Sequence, residues 1–230
     1  MGSFGGILRY LAYALMVTAA AGLVLWVGIY SPDGLRMSVL AAPGHEPSTS
    51  EFSLVEYMQS VLLVACIAIF AWIAARDRLR RPLAIGFAAL FLLFLVREQD
   101  YFLDHYGADN LWQVLASLVV ALASVYLYRH RHRLELGWRR SWPSAGLAIL
   151  ISGLIILIPF SQIVGDRGLW MAILGDSYVR TARLAGEELM ELSGYLVITI
   201  GSLEFLYAWS RLPHTRTIDR PRRRPAQKRA

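Results

Sequence analysis

Six long apolar runs alternate with polar connections along the chain. Each run is about as long as the roughly 20 residues that an α-helix needs to cross a bilayer. The pattern therefore predicts an all-α integral membrane protein, in which six transmembrane helices form one bundle over residues 1–210. The predicted spans are residues 7–30, 52–75, 82–104, 111–128, 143–164 and 187–209. Residues 211–230, which are rich in arginine and proline, are predicted to form a disordered basic tail.

Composition supports burial in lipid rather than in a large soluble core. The 230 residues are 56% hydrophobic, with a mean hydropathy of +0.45, whereas soluble domains are usually about 45–50% apolar. The one cysteine, Cys66, lies inside an apolar run and has no internal disulfide partner, so it is predicted to be a packing residue. The sequence contains no P-loop, GxGxxG or CxxC pattern, and no specific nucleic-acid partner is expected.

Charge is distributed unequally between the two ends of the predicted bundle. Arg9 and the segments 76–81, 129–140 and 211–230 hold 18 of the 23 basic residues, while 13 of the 17 acidic residues fall at the other end. Since cytoplasmic loops carry the excess of Lys and Arg, both termini are predicted to be cytoplasmic, in the plasma membrane of a bacterium. The first apolar run continues well past its small residues, which predicts a retained span and not a cleaved signal peptide.

This orientation brings acidic residues from three spans to a similar depth. Glu56 lies near the outer start of the second span, Glu98 near the outer end of the third, and Glu191 in the first turns of the sixth. At about 1.5 Å per helical residue, all three lie near the outer edge of the hydrocarbon. Charges in lipid are costly, so these groups are expected to face the bundle or an aqueous pocket.

The third span carries the densest group of charges, which interrupts its apolar run. Arg97, Asp100 and Asp104 recur on one face of a continuous helix, where Arg97 can pair with Asp100. Together with the deeper acids, these residues predict an outward-facing polar pocket. The predicted ligand-binding residues are Glu56, Ser60, Arg97, Glu98, Asp100, Asp104 and Glu191.

Purely structural interpretations exist for several of the acids. Glu56 stands three residues after Ser53, the spacing of a capping box. Glu187 and Glu188 lie where a helix N-terminus favours negative charge, and Glu187 can pair with Arg183. Glu204 lies about 20 Å from Glu191 along the helix and is expected to reach towards Arg211 or the basic loops.

Three further patterns predict local structure. Gly194 and Gly201 share one face of the sixth span and favour close helix packing. Pro159 is expected to kink the fifth span. The segment GDRGLWMAIL, residues 165–174, is typical of a short interfacial helix, which could lie over the pocket as a lid.

The spacing of Glu56 and Ser60 resembles the E-x-x-x-S element of the alkaline-ceramidase-like membrane hydrolases. That resemblance implies a zinc ion held by three histidines, with one H-x-x-x-H pair in a late helix. Here the last span carries Glu187-x-x-x-Glu191 in place of that pair, and none of the five histidines lies deep in a span. The chain is therefore not assigned to that family.

Carboxylates without histidine favour a hard cation such as Mg²⁺, Ca²⁺ or Mn²⁺, with Glu56, Glu98 and Glu191 as the candidate ligands. The favoured hypothesis is a pocket that binds a cation, or a cationic or metal-bridged ligand. Three alternatives stay open: a metal-dependent hydrolase acting on lipid, a proton-coupled transporter, and a non-catalytic subunit or assembly factor of a membrane complex. Membrane lipid and a membrane-protein partner are the expected partners, and the sequence does not decide whether the protein is an enzyme.

Overall fold

A computed structural model describes residues 2–31, 54–142 and 144–211, except for the side chains of residues 2–4, 101, 105 and 106. All regular secondary structure in these ranges is helical. The α-helices are α1 (Gly2–Tyr30), α2 (Leu54–Arg76), α3 (Arg81–Glu98), α4 (Asp100–Tyr106), α5 (Leu111–Arg129), α6 (Arg131–Ser141), α7 (Ala145–Ile155), α8 (Ser161–Val164), α9 (Arg167–Leu174) and α10 (Arg180–Ser210). Predicted residues in 32–53, 143 and 212–230, including Ser53 and the basic tail, lie outside the described residues.

Five helical segments in the described ranges are long and apolar enough to cross a membrane, which supports a membrane protein. They are Gly5–Tyr30, Leu54–Arg76, Leu111–Arg129, Ala145–Val164 and Arg180–Ser210. Five of the six predicted spans correspond to these segments. The last begins at Arg180, earlier than predicted. The count of six and the orientation stay predictions.

The predicted third span is two helices and not one. α3 ends at Glu98, and α4 starts at Asp100 after Gln99 leaves helical geometry, with φ −107° and ψ 17°. The charged residues Arg97 and Glu98 end the apolar run at this break, so α3 carries three charged residues, with Arg81, within its 18 positions. The break also interrupts the helical register on which the predicted common face of Arg97, Asp100 and Asp104 depends.

Four helices enclose the core of the bundle. Leu63, Phe70, Phe91, Leu150 and Ile198, from α2, α3, α7 and α10, are fully buried. The Phe70 ring lies with its centroid 5.0–5.7 Å from three other phenylalanine rings, a range typical of favourable aromatic pairs. α5 has no buried residue and α1 buries only Ala20 among its described side chains, so these two helices lie at the periphery.

Glycines bring α7 and α10 into close contact, as Gly194 and Gly201 predict. A methyl group added to Gly201 would lie 2.5 Å from the Leu150 backbone nitrogen, and one on Gly146 would lie 2.4 Å from the Phe205 nitrogen. Such distances leave no room for a side chain, so the two backbones touch directly. At Pro159, where a kink is predicted, the chain forms a π-helical turn, Ile156–Phe160, between α7 and α8.

Asp77 links three elements at the end of the bundle where α2 turns into α3. Its Oδ1 accepts hydrogen bonds from the backbone nitrogens of Leu79 and Arg80, at 2.9 and 3.1 Å. Its Oδ2 accepts from Arg80 Nη1 at 2.8 Å and from Trp209 Nε1 of α10 at 3.1 Å. Arg80 is itself buried and donates from Nε to Ser141 Oγ of α6. One carboxylate therefore holds the α2–α3 turn against α6 and α10.

The charge on Asp77 is expected to make stability depend on pH in the acid range. Burial alone would raise the pKa of the Asp77 carboxyl, but the hydrogen bonds from Arg80 and Trp209 lower it below its ordinary value. A lowered folded-state pKa stabilises the fold above the ordinary carboxyl pKa of about 4, and this contribution is lost as pH falls through the lowered value. The stability advantage of wild type over Asp77→Asn should therefore shrink below about pH 4. Denaturant titrations in detergent at pH 3 to 7 measure it, and an advantage that stays constant would contradict the assignment.

Candidate functional site

Glu98 and Tyr195 form the central contact of the candidate site. Glu98 is the last residue of α3, and Tyr195 is buried on α10. The Tyr195 hydroxyl donates a hydrogen bond to Glu98 Oε1 over 2.7 Å. This is a short, charge-assisted geometry if the carboxylate is ionised. The contact places a carboxyl group beside α10 at the point where the apolar run of α3 stops.

Two more carboxylates lie on the same face of α10, one and two turns before Tyr195. Glu191 is only 8% exposed, and the nearest cation is Arg97, whose Nη1 lies 3.9 Å from Glu191 Oε1, beyond hydrogen-bonding distance. Glu188 is close enough to Glu98 for their charges to repel, as is Glu191. We refer to Glu98, Glu188 and Glu191 as the acidic cluster.

α2 contributes neutral polar groups to one side of the acidic cluster. Gln59 is fully buried and donates from Nε2 to the Glu188 carbonyl oxygen at 3.3 Å. Ser60 Oγ accepts from Gln99 Nε2 at 3.0 Å, which connects α2 to the break between α3 and α4. These bonds fix the ends of α2, α3 and α10 relative to one another.

The structure brings the seven predicted ligand-binding residues together only in part. Glu98, Glu191, Arg97 and Ser60 lie in or beside the acidic cluster, and Asp100 is close enough to Glu98 for their charges to interact. Asp104 lies a turn further along α4, and its buried Oδ1 has no hydrogen-bond partner among the described residues. Glu56 is half-buried in the first turn of α2, one turn before Ser60.

No group of three or more His, Cys, Asp or Glu side chains in the described ranges is arranged to hold a metal ion. The prediction that Glu56, Glu98 and Glu191 are ligands of one metal ion therefore has no support from the geometry.

Sequence reasoning missed Tyr195 and Glu188 as parts of the site. Tyr195 follows Glu191 by four residues, and this helical spacing, which places both on one face, is the signal that could have found it. Glu188 was interpreted with Glu187 as a favourable charge at a helix N-terminus. Since α10 begins at Arg180, both lie two turns inside the helix.

The predicted pair of Arg183 and Glu187 is confirmed, with 3.0 Å between Nη1 and Oε2. Arg183 Nη1 also donates to the Gly165 carbonyl, and Trp170 Nε1 donates to the Val164 carbonyl. These contacts hold the turn between α8 and α9 against the first part of α10. The predicted short helix is confirmed as α9, whereas its action as a lid stays a prediction.

The expectation that Glu204 reaches towards Arg211 or the basic loops is wrong. Glu204 is buried and pairs with Arg9 of α1, with 2.8 Å between Oε1 and Nε. The Arg9 guanidinium also lies 3.7 Å from the ring centroid of Tyr207, and Arg211 lies 4.3 Å from the same centroid. Glu204 therefore joins the peripheral helix α1 to α10, and it lies apart from the acidic cluster.

Removing the Tyr195 hydroxyl should weaken the fold at the acidic cluster. Tyr195→Phe leaves the ring packing intact but removes the hydrogen bond that Glu98 accepts. A buried acceptor left without a donor costs about 1–3 kcal/mol. Denaturant titration of the detergent-solubilised protein measures the change. Tyr128→Phe, at an exposed position of α5, is the matched control and should be neutral. Equal stability of Tyr195→Phe and wild type would contradict the assigned contact.

No protein-family model, curated protein or solved structure matches the chain.

Proposed function

We propose that the chain is a polytopic membrane protein whose acidic cluster binds a cation or a ligand that carries a positive charge. The observation that carries the proposal is the imbalance of charge at the cluster. Three carboxylates that repel one another face one arginine, and that arginine is too far from Glu191 to hydrogen-bond it. Repulsion between like charges in a partly buried site favours the uptake of a positive charge.

A cation that needs few protein ligands agrees best with the geometry. A hydrated divalent cation, Mg²⁺ above all, is commonly held by one or two carboxylates. The ammonium group of an organic ligand or lipid headgroup can likewise donate hydrogen bonds to two carboxylates. Glu98 and Glu191 are the proposed contacts, since Glu98 ends α3 and Glu191 faces it from α10. Arg97, also at the end of α3, lies near Glu98 and Glu191 and is proposed to offset part of the negative charge of the acidic cluster.

The proposed location follows the distribution of charge. The acidic cluster lies at the end of the bundle opposite to the arginine-rich segments, so the positive-inside rule places it at the outer leaflet of the plasma membrane. Both termini are then cytoplasmic, and α3 with α4 completes the proposed sixth passage. A ligand would reach the site from the outside or from the outer leaflet.

Proton-coupled transport is the second candidate, because polar side chains continue along α10 towards its other end. Thr199 Oγ1 lies 3.4 Å and Ser202 Oγ 3.6 Å from Cys66 Sγ, and all three groups are buried. They lie between the acidic cluster and Glu204. If the protein is a transporter, Glu204→Gln should abolish proton flux in proteoliposomes as fully as Glu98→Gln does. If the protein only binds a cation, Glu204→Gln should still bind it. The metal-dependent hydrolase and the non-catalytic subunit have no observation in the described residues that favours them.

Calorimetric titration of the full chain in mild detergent tests the proposed function. The titrants are Mg²⁺, Ca²⁺, Mn²⁺ and ethanolamine, with wild type, Glu98→Gln and Glu191→Gln as the proteins. The proposal expects one saturable site in wild type that weakens at least about tenfold in each variant, since each loses one of two charged contacts. Glu135→Gln is the control, because Glu135 is exposed at the other end of the bundle. A titration without saturable binding in wild type, or equal binding in the variants, would overturn the proposal.

A further inference from the structure

α6 and the α2–α3 turn form one basic surface at the end of the bundle opposite to the acidic cluster. α6 packs against the bundle only through one stripe, in which Gly137 faces the Leu79 carbonyl and Ser141 accepts from Arg80. Apart from the half-buried Leu134, which packs against the core, the other residues of α6 are exposed. Seven exposed arginines belong to this surface, which we call the basic surface: Arg76, Arg78, Arg129, Arg131, Arg133, Arg139 and Arg140.

Acidic side chains compensate little of this charge. The segments 76–81 and 129–142 contain two acidic residues, Asp77 and Glu135. Asp77 already accepts hydrogen bonds from the buried side chains of Arg80 and Trp209. Glu135 pairs with Arg139 at 2.8 Å, and both side chains are mostly exposed. This pair is therefore weak, and another anion can readily replace Glu135 beside Arg139. The acidic residues of these two segments therefore leave a large excess of positive charge on the basic surface.

Tryptophans lie beside the arginines on this surface. Trp138 and Trp142 stack with centroids 5.8 Å apart and are 40% and 54% exposed. Trp72, near the end of α2, is about half exposed and lies under the Arg76 guanidinium, 3.8 Å from the ring centroid. Exposed tryptophan next to arginine at the end of membrane-spanning helices is typical of the headgroup level of a bilayer.

We propose that the basic surface is a binding site for the phosphate headgroups of anionic phospholipids. Arginine presents a planar group of donors that matches phosphate oxygens, and its weak hydration favours the membrane interface. The exposed tryptophans and the ends of α2 and α5 place these arginines beside lipid, which favours a phospholipid over a nucleic acid as the source of phosphate. The site is separate from the acidic cluster, because α2, whose 23 residues extend about 34 Å, separates the two ends.

Lipid binding to the full chain in detergent micelles tests this inference. The probes are phosphatidylglycerol and phosphatidylcholine with identical acyl chains, and native mass spectrometry gives the dissociation constant of each. Wild type should prefer phosphatidylglycerol, and the preference should fall as salt increases. Arg133→Gln combined with Arg140→Gln should lower the preference by up to about 25-fold, or about fivefold for each arginine.

Arg167→Gln combined with Arg180→Gln is the matched control, since both arginines are exposed at the other end of the bundle. This variant should keep the wild-type preference. The salt dependence of wild type provides a second test that requires no substitution. Equal affinity of wild type for the two lipids, an unchanged preference in the Arg133/Arg140 variant, or the same loss in the control would each overturn the inference.

Discussion

Replacing Asp77 by alanine should lower the free energy of unfolding by about 3–5 kcal/mol, because the change leaves a buried arginine without its carboxylate. Arg80 has its Nη1 on Asp77 Oδ2, and its Nη2 is already without a hydrogen-bond partner among the described residues. The same substitution removes the acceptor for Trp209 Nε1 and for two backbone nitrogens in the turn. The α2–α3 turn, α6 and α10 would lose their common anchor.

Denaturant titration of the protein in mild detergent measures the loss for Asp77→Ala. Glu135→Ala removes an acidic partner of arginine at the same end of the bundle, but that pair is exposed. It should therefore cost less than about 1 kcal/mol. Similar losses for the two variants would show that the buried contacts of Asp77 do not stabilise the fold, in contradiction to the structure.

Adding one methyl group at Gly146 should destabilise the bundle by about 3 kcal/mol, near the upper end for overpacked cores. The new carbon would lie 2.4 Å from the Phe205 nitrogen, 2.7 Å from its Cα and 2.8 Å from the Glu204 carbonyl carbon. All three are backbone atoms of α10, so no side-chain rotation can relieve the overlap. α7 and α10 would have to separate, and the leucine and isoleucine contacts between them would loosen.

Gly22→Ala is the matched control for Gly146→Ala. Gly22 also lies inside a helix, α1, but a methyl group there would meet no atom within 4 Å. This substitution should be neutral or stabilise the protein by up to about 1 kcal/mol, because alanine favours the helix more than glycine does. Thermal unfolding followed by size-exclusion chromatography compares the two variants. Equal melting temperatures would contradict the close packing of α7 on α10.

Hydropathy predicted the helical bundle because length and apolar character alone decide which segments can cross a bilayer. The glycine spacing at Gly194 and Gly201 likewise predicted a contact, since small residues have few other uses on a buried helix face. The break at Gln99 was not predicted, because a polar residue at the end of an apolar run is compatible with either a continuing or an ending helix. Helix bounds depend on such local choices.

Partners of the charged groups were harder to predict than their depth. Depth follows from counting residues along a helix, but a partner depends on how the helices are rotated and packed. The sequence predicts that Glu98 lies level with Glu191, yet the hydrogen bond that Glu98 accepts comes from Tyr195, which has an apolar sequence context. Glu204 pairs with Arg9, almost the whole chain away, because α1 lies beside α10. No short-range pattern contains that information.

Binding of a cation to the acidic cluster is tested most directly by calorimetry on wild type and the Glu98→Gln/Glu191→Gln double variant, with Glu135→Gln as control. The proposed function predicts a saturable site in wild type and in Glu135→Gln that is lost in the double variant while the melting temperature stays within a few degrees. A double variant that binds as wild type does, or a wild type that binds none of the four titrants, would contradict it.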